Sequence, residues 1–188
     1  MALASLFKCS AVLVCAILLG LLCSQGQAQA KVFHSREEAL ALAFADADRQ
    51  KTKTFFLSEE EVQRVAALAT APVDSKLATF YVGYKAGQIV GYAFIETHLV
   101  RTLPEAFLIV LSPAGVVQKL FVLAFYEPEE YLPSERWLRQ FDQKALGPEL
   151  QLRRDIHGVA GATLSSRAIT NGVRRVLALF QILIQERK

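Results

Sequence analysis

The sequence predicts an α+β fold: a four-stranded antiparallel sheet of two hairpins, packed by helices, with a last helix laid across it. Three observations carry this expectation. Two serine-headed capping boxes stand near the start of the chain, the middle changes to strand-type runs around two short turns, and the end is an amphipathic run introduced by small residues.

The elements follow in order. In Ser35-Arg36-Glu37-Glu38 the serine hydroxyl can accept the Glu38 amide while the Glu38 carboxylate reaches back to the Ser35 amide. Leu40, Phe44 and Ala47 then recur at helical spacing, which predicts a helix to about Arg49. Ser58-Glu59-Glu60-Glu61 repeats the signature, with Val62, Val65 and Leu68 on one face and Pro72 closing the helix. From Lys76 to Val100 and from Glu105 to Glu127 the chain reads as two strand pairs, turning at Lys85-Ala86-Gly87-Gln88 and at Ser112-Pro113-Ala114-Gly115. Four strands this apolar need helices over one face. A short helix is expected from Ser134, burying Trp137, Leu138 and Phe141, with Gly147-Pro148 beyond it. The last helix is expected to open near Ser165 or Ser166 and run towards Glu186, with Ala168, Val173, Val176, Leu177, Phe180 and Ile184 as its buried stripe.

The first thirty residues differ from the rest. Lys8 is their only charge, Cys9 to Cys23 is almost unbroken apolar sequence, and Ala28-Gln29-Ala30 is a small-x-small exit. This describes a secretory signal peptide over 1–30, or a retained N-terminal anchor, followed by one domain over 31–188. Leu22 ahead of Cys23 argues against lipidation, because a small residue is expected there. The protein is therefore expected to be exported, periplasmic or held at the membrane by its N-terminus.

All three cysteines, Cys9, Cys15 and Cys23, fall inside that segment. The exported region would then have no disulfide, no cysteine-ligated iron–sulfur cluster, no thioether haem and no cysteine nucleophile. The three histidines, His34, His98 and His157, are too scattered to predict a metal site. The charge balance, 21 basic against 18 acidic residues, contains no block that would suggest nucleic acid. No acid–base constellation points to an enzyme with a substrate of its own.

The most informative stretch is "HGVAGATLSSRAITNG". Amides at the start of a helix have no internal partners, and the dipole is positive there, so the position suits a phosphate. Gly161 and Ala162 let a ligand approach the backbone. Thr163, Ser165 and Ser166 add hydroxyls, and Arg153, Arg154, Arg167, Arg174 and Arg175 are candidate charge partners, although Arg174-Arg175 reads first as a surface face. The same residues also describe an ordinary glycine-bearing turn and a serine cap.

Ala160-Gly161-Ala162-Thr163-Leu164-Ser165-Ser166, followed by Arg167-Ala168-Ile169, resembles the signature of the FMN-binding domain family. That family includes the flavin-carrying periplasmic subunits of Rnf and sodium-pumping NADH:quinone reductase complexes and the flavin domain of nitrous-oxide reductase regulators. The resemblance implies FMN as cofactor, joined through its phosphate to Thr163 by a flavin transferase, with Gly161, Ala162, Leu164 and Ser165 forming the phosphate-side loop. It implies an electron carrier that works with a membrane redox complex or a periplasmic electron-transfer protein. Phe125, Tyr126 and Tyr131, in "AFYEPEEYLP", would then wall the flavin or simply fill core. Glu127 and Pro128 echo the family's Glu-Thr-Pro-Gly loop. Arg101 and Thr102 would cap the pocket or lie solvated at a strand end, and His157 would contact the phosphate or stand as an exposed loop histidine. Many flavinylated members carry an aspartate six positions before the threonine and Ser or Thr three before it. Here those places hold His157 and Ala160, which leaves open a periplasmic flavin-responsive or structural module with FMN non-covalent or absent.

Overall fold

The computed structural model describes residues 31–100 and 102–187; the predicted signal segment and Arg101 lie outside the described residues. In chain order the elements are β1 (Lys31–Val32), α1 (Arg36–Ala43), β2 (Arg49–Phe56), α2 (Glu59–Ala69), β3 (Leu77–Lys85), β4 (Gln88–Val100), β5 (Leu103–Leu111), β6 (Val117–Phe125), α3 (Glu135–Leu138) and α4 (Thr163–Phe180). Short 3-10 turns flank α3, and a π-helical turn, Gln181–Glu186, extends α4. Among the described residues no helix is long and apolar enough to cross a membrane.

The sheet has six strands rather than four, in the order β1-β6-β5-β4-β3-β2. Every neighbouring pair is antiparallel. The two expected hairpins are β3–β4 and β5–β6, and both turns fall where predicted, with the Gly115 amide donating to the Ser112 carbonyl at 3.0 Å. The strands that sequence reading missed are the two edges. β2, "RQKTKTFF", is exposed at nearly every position, so it carries no alternation of apolar and polar residues. Its lysines are typical of an edge strand. β1 is two residues long and rests on Phe125 and Ala124.

The capping boxes at Ser35 and Ser58 both form. The first helix nevertheless stops at Ala43, six residues short of the expected end. Phe44 turns out of the helix and packs beneath β3, where a Cβ on Gly83 would come within 2.4 Å of its ring. Helices cover both faces of the sheet. Phe80, Val82, Tyr92, Phe94, Phe107, Ile109 and Leu111 pack against α2 and α4. The alternate positions Ala93, Leu108, Val110 and Leu123 meet Leu40 of α1 and Phe44 just beyond its end. Each large side chain removed from water in these two layers contributes roughly 1.5–3 kcal/mol before entropy is counted.

Helix α4 lies close against the sheet at Gly172, where an added Cβ would sit 2.9 Å from Glu96 Cγ. It begins at Thr163, two or three residues earlier than the serines suggested, and Ala162 supplies no side-chain cap. Ser166 is inside the first turns. Its hydroxyl donates to the Ala162 carbonyl at 2.9 Å and accepts from the Val159 amide at 3.2 Å, tying the incoming loop to the helix it precedes.

Candidate functional site

The loop before α4 is held from outside as well. The Trp137 indole of α3 donates to the His157 carbonyl at 2.5 Å, and the His157 amide donates to Gln140 Oε1 at 2.9 Å. The His157 side chain itself is exposed. Gly161 follows with φ of +80°, a left-handed conformation that glycine adopts without strain, and a Cβ there would meet nothing within 4 Å. The backbone is thus open at the loop where the sequence suggests a phosphate seat.

Val100, Glu127, Tyr131, Gly161, Ala162, Thr163, Leu164 and Ser165 line one pocket of about 200 Å³. It sits between the end of β4, the segment after β6 and the N-terminus of α4. Seven of the eight cofactor-binding residues predicted from sequence are therefore brought together; the eighth, Arg101, lies outside the described residues. Val100 was not predicted. Thr163 is exposed, so its hydroxyl is reachable, whereas Ser165 is buried beneath it.

Glu127 is buried, and its Oε1 has no hydrogen-bond partner among the described residues. A buried carboxylate oxygen in that condition costs about 1–3 kcal/mol or more unless a donor reaches it. Opposite it, the first turn of α4 offers backbone amides without a side-chain cap and with no acidic residue among them. The pocket therefore presents an anion seat on one side and a hydrogen-bond acceptor on the other. A nucleotide-like ligand, with a phosphate at one end and N–H or O–H groups further along, matches that polarity. The residues present fit FMN.

Several predicted partners lie elsewhere. Phe125 is core at 1 % exposure, and Tyr126 does not line the pocket. Arg153 and Arg154 are exposed, and Arg154 pairs with Glu149 at 3.0 Å. Arg174 and Arg175 are not a surface face: both are buried. All five N–H groups of Arg174 are used, on the carbonyls of Leu68, Ala69, Gly147 and Leu150 and on Thr70 Oγ1. The guanidinium thus caps the C-terminal, electronegative end of α2. Burial holds its pKa below the ordinary arginine value. Arg175 donates through Nε to Glu96 Oε1 at 3.0 Å and through Nη1 to the Pro72 carbonyl at 2.6 Å. Glu96 is pushed up by burial, against the pull of Arg175. Of the five arginines considered, Arg167 alone is exposed in the first turns of α4.

Sequence reading also missed a buried ionisable pair behind the pocket. His98 Nε2 lies 3.1 Å from Glu105 Oε2, across the β4–β5 register, with side-chain exposures of 8 % and 0 %. The His98 ring stacks on Phe107 at 5.9 Å. A signal exists in hindsight: Glu96, His98 and Val100 alternate on one face of a strand that is otherwise apolar there. Pairing register alone reveals Glu105 as the partner. A larger cavity, about 600 Å³, lies between β6 and α3 and is lined by His34, Lys119, Phe121 and Arg139 among others. It shares none of the loop residues.

The chain matches the FMN-binding domain family over residues 76–178. That span runs from β3 into the last turns of α4 and contains every residue of the 200 Å³ pocket. No curated protein matches the chain at a significant level. Among solved structures, NqrC of Shewanella oneidensis is similar, with a TM-score of 0.51 and 12 % identity, covering 85 % of this chain and 92 % of that one. At that identity the likeness is one of fold.

Proposed function

Because this chain belongs to the FMN-binding domain family, we propose that it is an exported electron-carrying flavoprotein with FMN fastened to Thr163. FMN is the cofactor that membership assigns to it. The observation that carries the reading is the exposed Thr163 hydroxyl at the start of an uncapped helix, on the rim of a 200 Å³ pocket. Pockets that enclose a whole ligand of this class commonly run to roughly 300–1,000 Å³. A seat of this size would hold the phosphate end of such a ligand, and a covalent phosphodiester on Thr163 would keep it in place.

Each residue has a task in this reading. The free amides of the first turn of α4 hold the phosphate, and Gly161 lets it approach the backbone. Arg167 balances its charge from the exposed side of the same turns. Glu127 Oε1, which has no partner among the described residues, would accept from an N–H or O–H of the cofactor. Tyr131, Val100 and Leu164 form the apolar wall. Bound FMN supplies the redox chemistry, and the protein orients it and sets its electrostatic surroundings. The donor and acceptor would be a membrane redox complex or a periplasmic electron-transfer protein, with a flavin transferase required for loading. Residues 1–30 would act as the export signal or anchor of a single domain spanning 31–188.

A second reading, FMN held without a covalent bond, is favoured by His157 and Ala160 in the places where flavinylated members have Asp and Ser or Thr. Co-expression with a flavin transferase, followed by denaturation and mass measurement, separates the two. The expected result is one FMN phosphodiester per wild-type chain and none on Thr163→Ala. Flavin released intact from denatured wild type selects the second reading.

A further inference from the structure

The edge strand β2 carries its cations on one face. Arg49, Lys51 and Lys53 alternate with Gln50, Thr52 and Thr54, so the basic side chains point the same way and stand about 7 Å apart along the strand. Across the ladder they meet Tyr84, Val82 and Phe80, which pack towards α2 and α4. The stripe therefore lies on that face of the sheet, and all three of its cations are exposed. The Arg49 guanidinium and the Lys51 ammonium stand over the Tyr84 ring, at 5.0 and 5.9 Å. Among the described residues none of the three has a salt-bridge partner.

Few acidic groups are placed to neutralise this stripe. Residues 49–56 and 77–95, which span β2, β3 and the first part of β4, contain Arg49, Lys51, Lys53 and Lys85 and no Asp or Glu. At the margins Glu61 holds Arg187, Glu186 holds Arg64, and Asp48 Oδ2 accepts from the Ala86 amide at 2.7 Å. Asp46 is exposed ahead of the strand. Lys53 also lines a groove of about 530 Å³, walled by Phe55, Tyr92, Leu183 and Ile184. Tyr92 and Leu183 are buried there, and Phe55 and Ile184 are half-buried. Lys188 lies outside the described residues, so the site is built on the β2 cations alone.

We propose that the β2 stripe and this groove form a site for an anionic phospholipid. The phosphate rests between Lys51 and Lys53, and an acyl chain lies along Phe55, Tyr92, Leu183 and Ile184. Cations beside an apolar groove match a ligand that is charged at one end and apolar along the rest. The groove is of the size that holds small ligands, roughly 300–1,000 Å³. A polyanion, such as an acidic protein segment, would use the stripe and leave the groove unfilled. The site shares no residue with the 200 Å³ pocket and stands apart from the FMN reading. It gives the two lysines a second task besides keeping other strands off the edge.

The test is an amide NMR titration of the full chain with dihexanoyl phosphatidylglycerol, kept below its micelle-forming concentration. Dihexanoyl phosphatidylcholine removes the net charge, glycerol phosphate removes the chains, and polyglutamate supplies a polyanion without an acyl chain. Each amide is read separately, so lipid gathered by the apolar run from Cys9 to Cys23 does not enter the result. The expected result is saturable shifts at residues 51–55 and 183–184, with phosphatidylglycerol binding at least about tenfold tighter than the other three. Lys51→Glu with Lys53→Glu should weaken that binding by about tenfold or more, while Lys51→Arg with Lys53→Arg retains it. Glutamates keep the edge charged, so pairing between copies is not introduced, and amides away from the groove report an unchanged fold. No shift at those residues, equal binding of phosphatidylcholine, or binding that survives the double glutamate change overturns the proposal. Glycerol phosphate binding as tightly overturns it in favour of a simple anion site, and polyglutamate binding as tightly in favour of an acidic protein partner.

Discussion

Arg174 illustrates how much one side chain does in this fold. Its five N–H groups satisfy acceptors from the end of α2, with its cap Thr70, and from the 147–150 loop, so two segments distant in sequence meet on one guanidinium of α4. In sequence it reads as half of an exposed basic pair, because Arg174-Arg175 is polar by type. Only the neighbouring carbonyls explain why burying it is tolerable. Arg174→Met would fill the same volume while leaving those carbonyls unpaired. We expect it to lower unfolding stability by at least about 3 kcal/mol, read by urea denaturation at neutral pH. Arg174→Lys should fall between the two, since it keeps the charge and gives up donors.

At the level of elements, the two capping boxes show local sequence acting almost alone. Ser58 and Glu61 satisfy each other's backbone amides, and Arg187 from the far end of the chain then closes on Glu61. The hydrogen bond from Arg187, followed by that from the Ser58 backbone, holds the Glu61 carboxyl below the usual carboxylate range. A carboxylate depressed in the folded state contributes stability that is present above its unfolded pKa and is lost as pH falls through the folded one. Glu61→Gln should therefore lower the thermal midpoint at pH 7, by under about 1 kcal/mol in free-energy terms. The gap between variant and wild type should narrow as pH falls below the usual carboxylate range. A deficit that does not change with pH would show that the ionised carboxylate is not what matters. The opposite case is α4. Its start was misplaced because Ser165 and Ser166 look like caps, whereas the Ser166 hydroxyl reaches back to the Ala162 carbonyl from inside the helix.

For the whole molecule, the sheet's two edges decide how it behaves in company. β1 is two residues long, and β2 carries Arg49, Lys51 and Lys53 along an exposed strand. Charged residues on an edge discourage pairing with another chain. Lys51→Val with Lys53→Val would turn β2 into a flat apolar edge, and light scattering after size-exclusion chromatography should then detect larger species at concentrations where wild type shows none. No change in size would remove this role from the two lysines. The same architecture explains the site. Because helices cover both faces, the pocket forms at the end of the sheet, where β4 runs out, β6 has ended and α4 begins.

The sequence by itself determined the fold class, both hairpin turns, both capping boxes and the loop residues 160–166 that carry the family signature. These are local patterns, set by neighbours a few residues apart, so they can be read from order alone. The edge strands escaped it, because β2 is exposed on both faces and has no apolar period to detect. Tertiary structure alone decided that Phe44 leaves its helix to fill the space beneath Gly83. It alone decided that Arg174 and Arg175 turn inward, and that Glu127 and His98 each end with a buried atom that has no partner among the described residues. Burial and cross-strand register join residues more than a hundred positions apart, and the environment that gives a charged side chain its chemistry exists only once they have met.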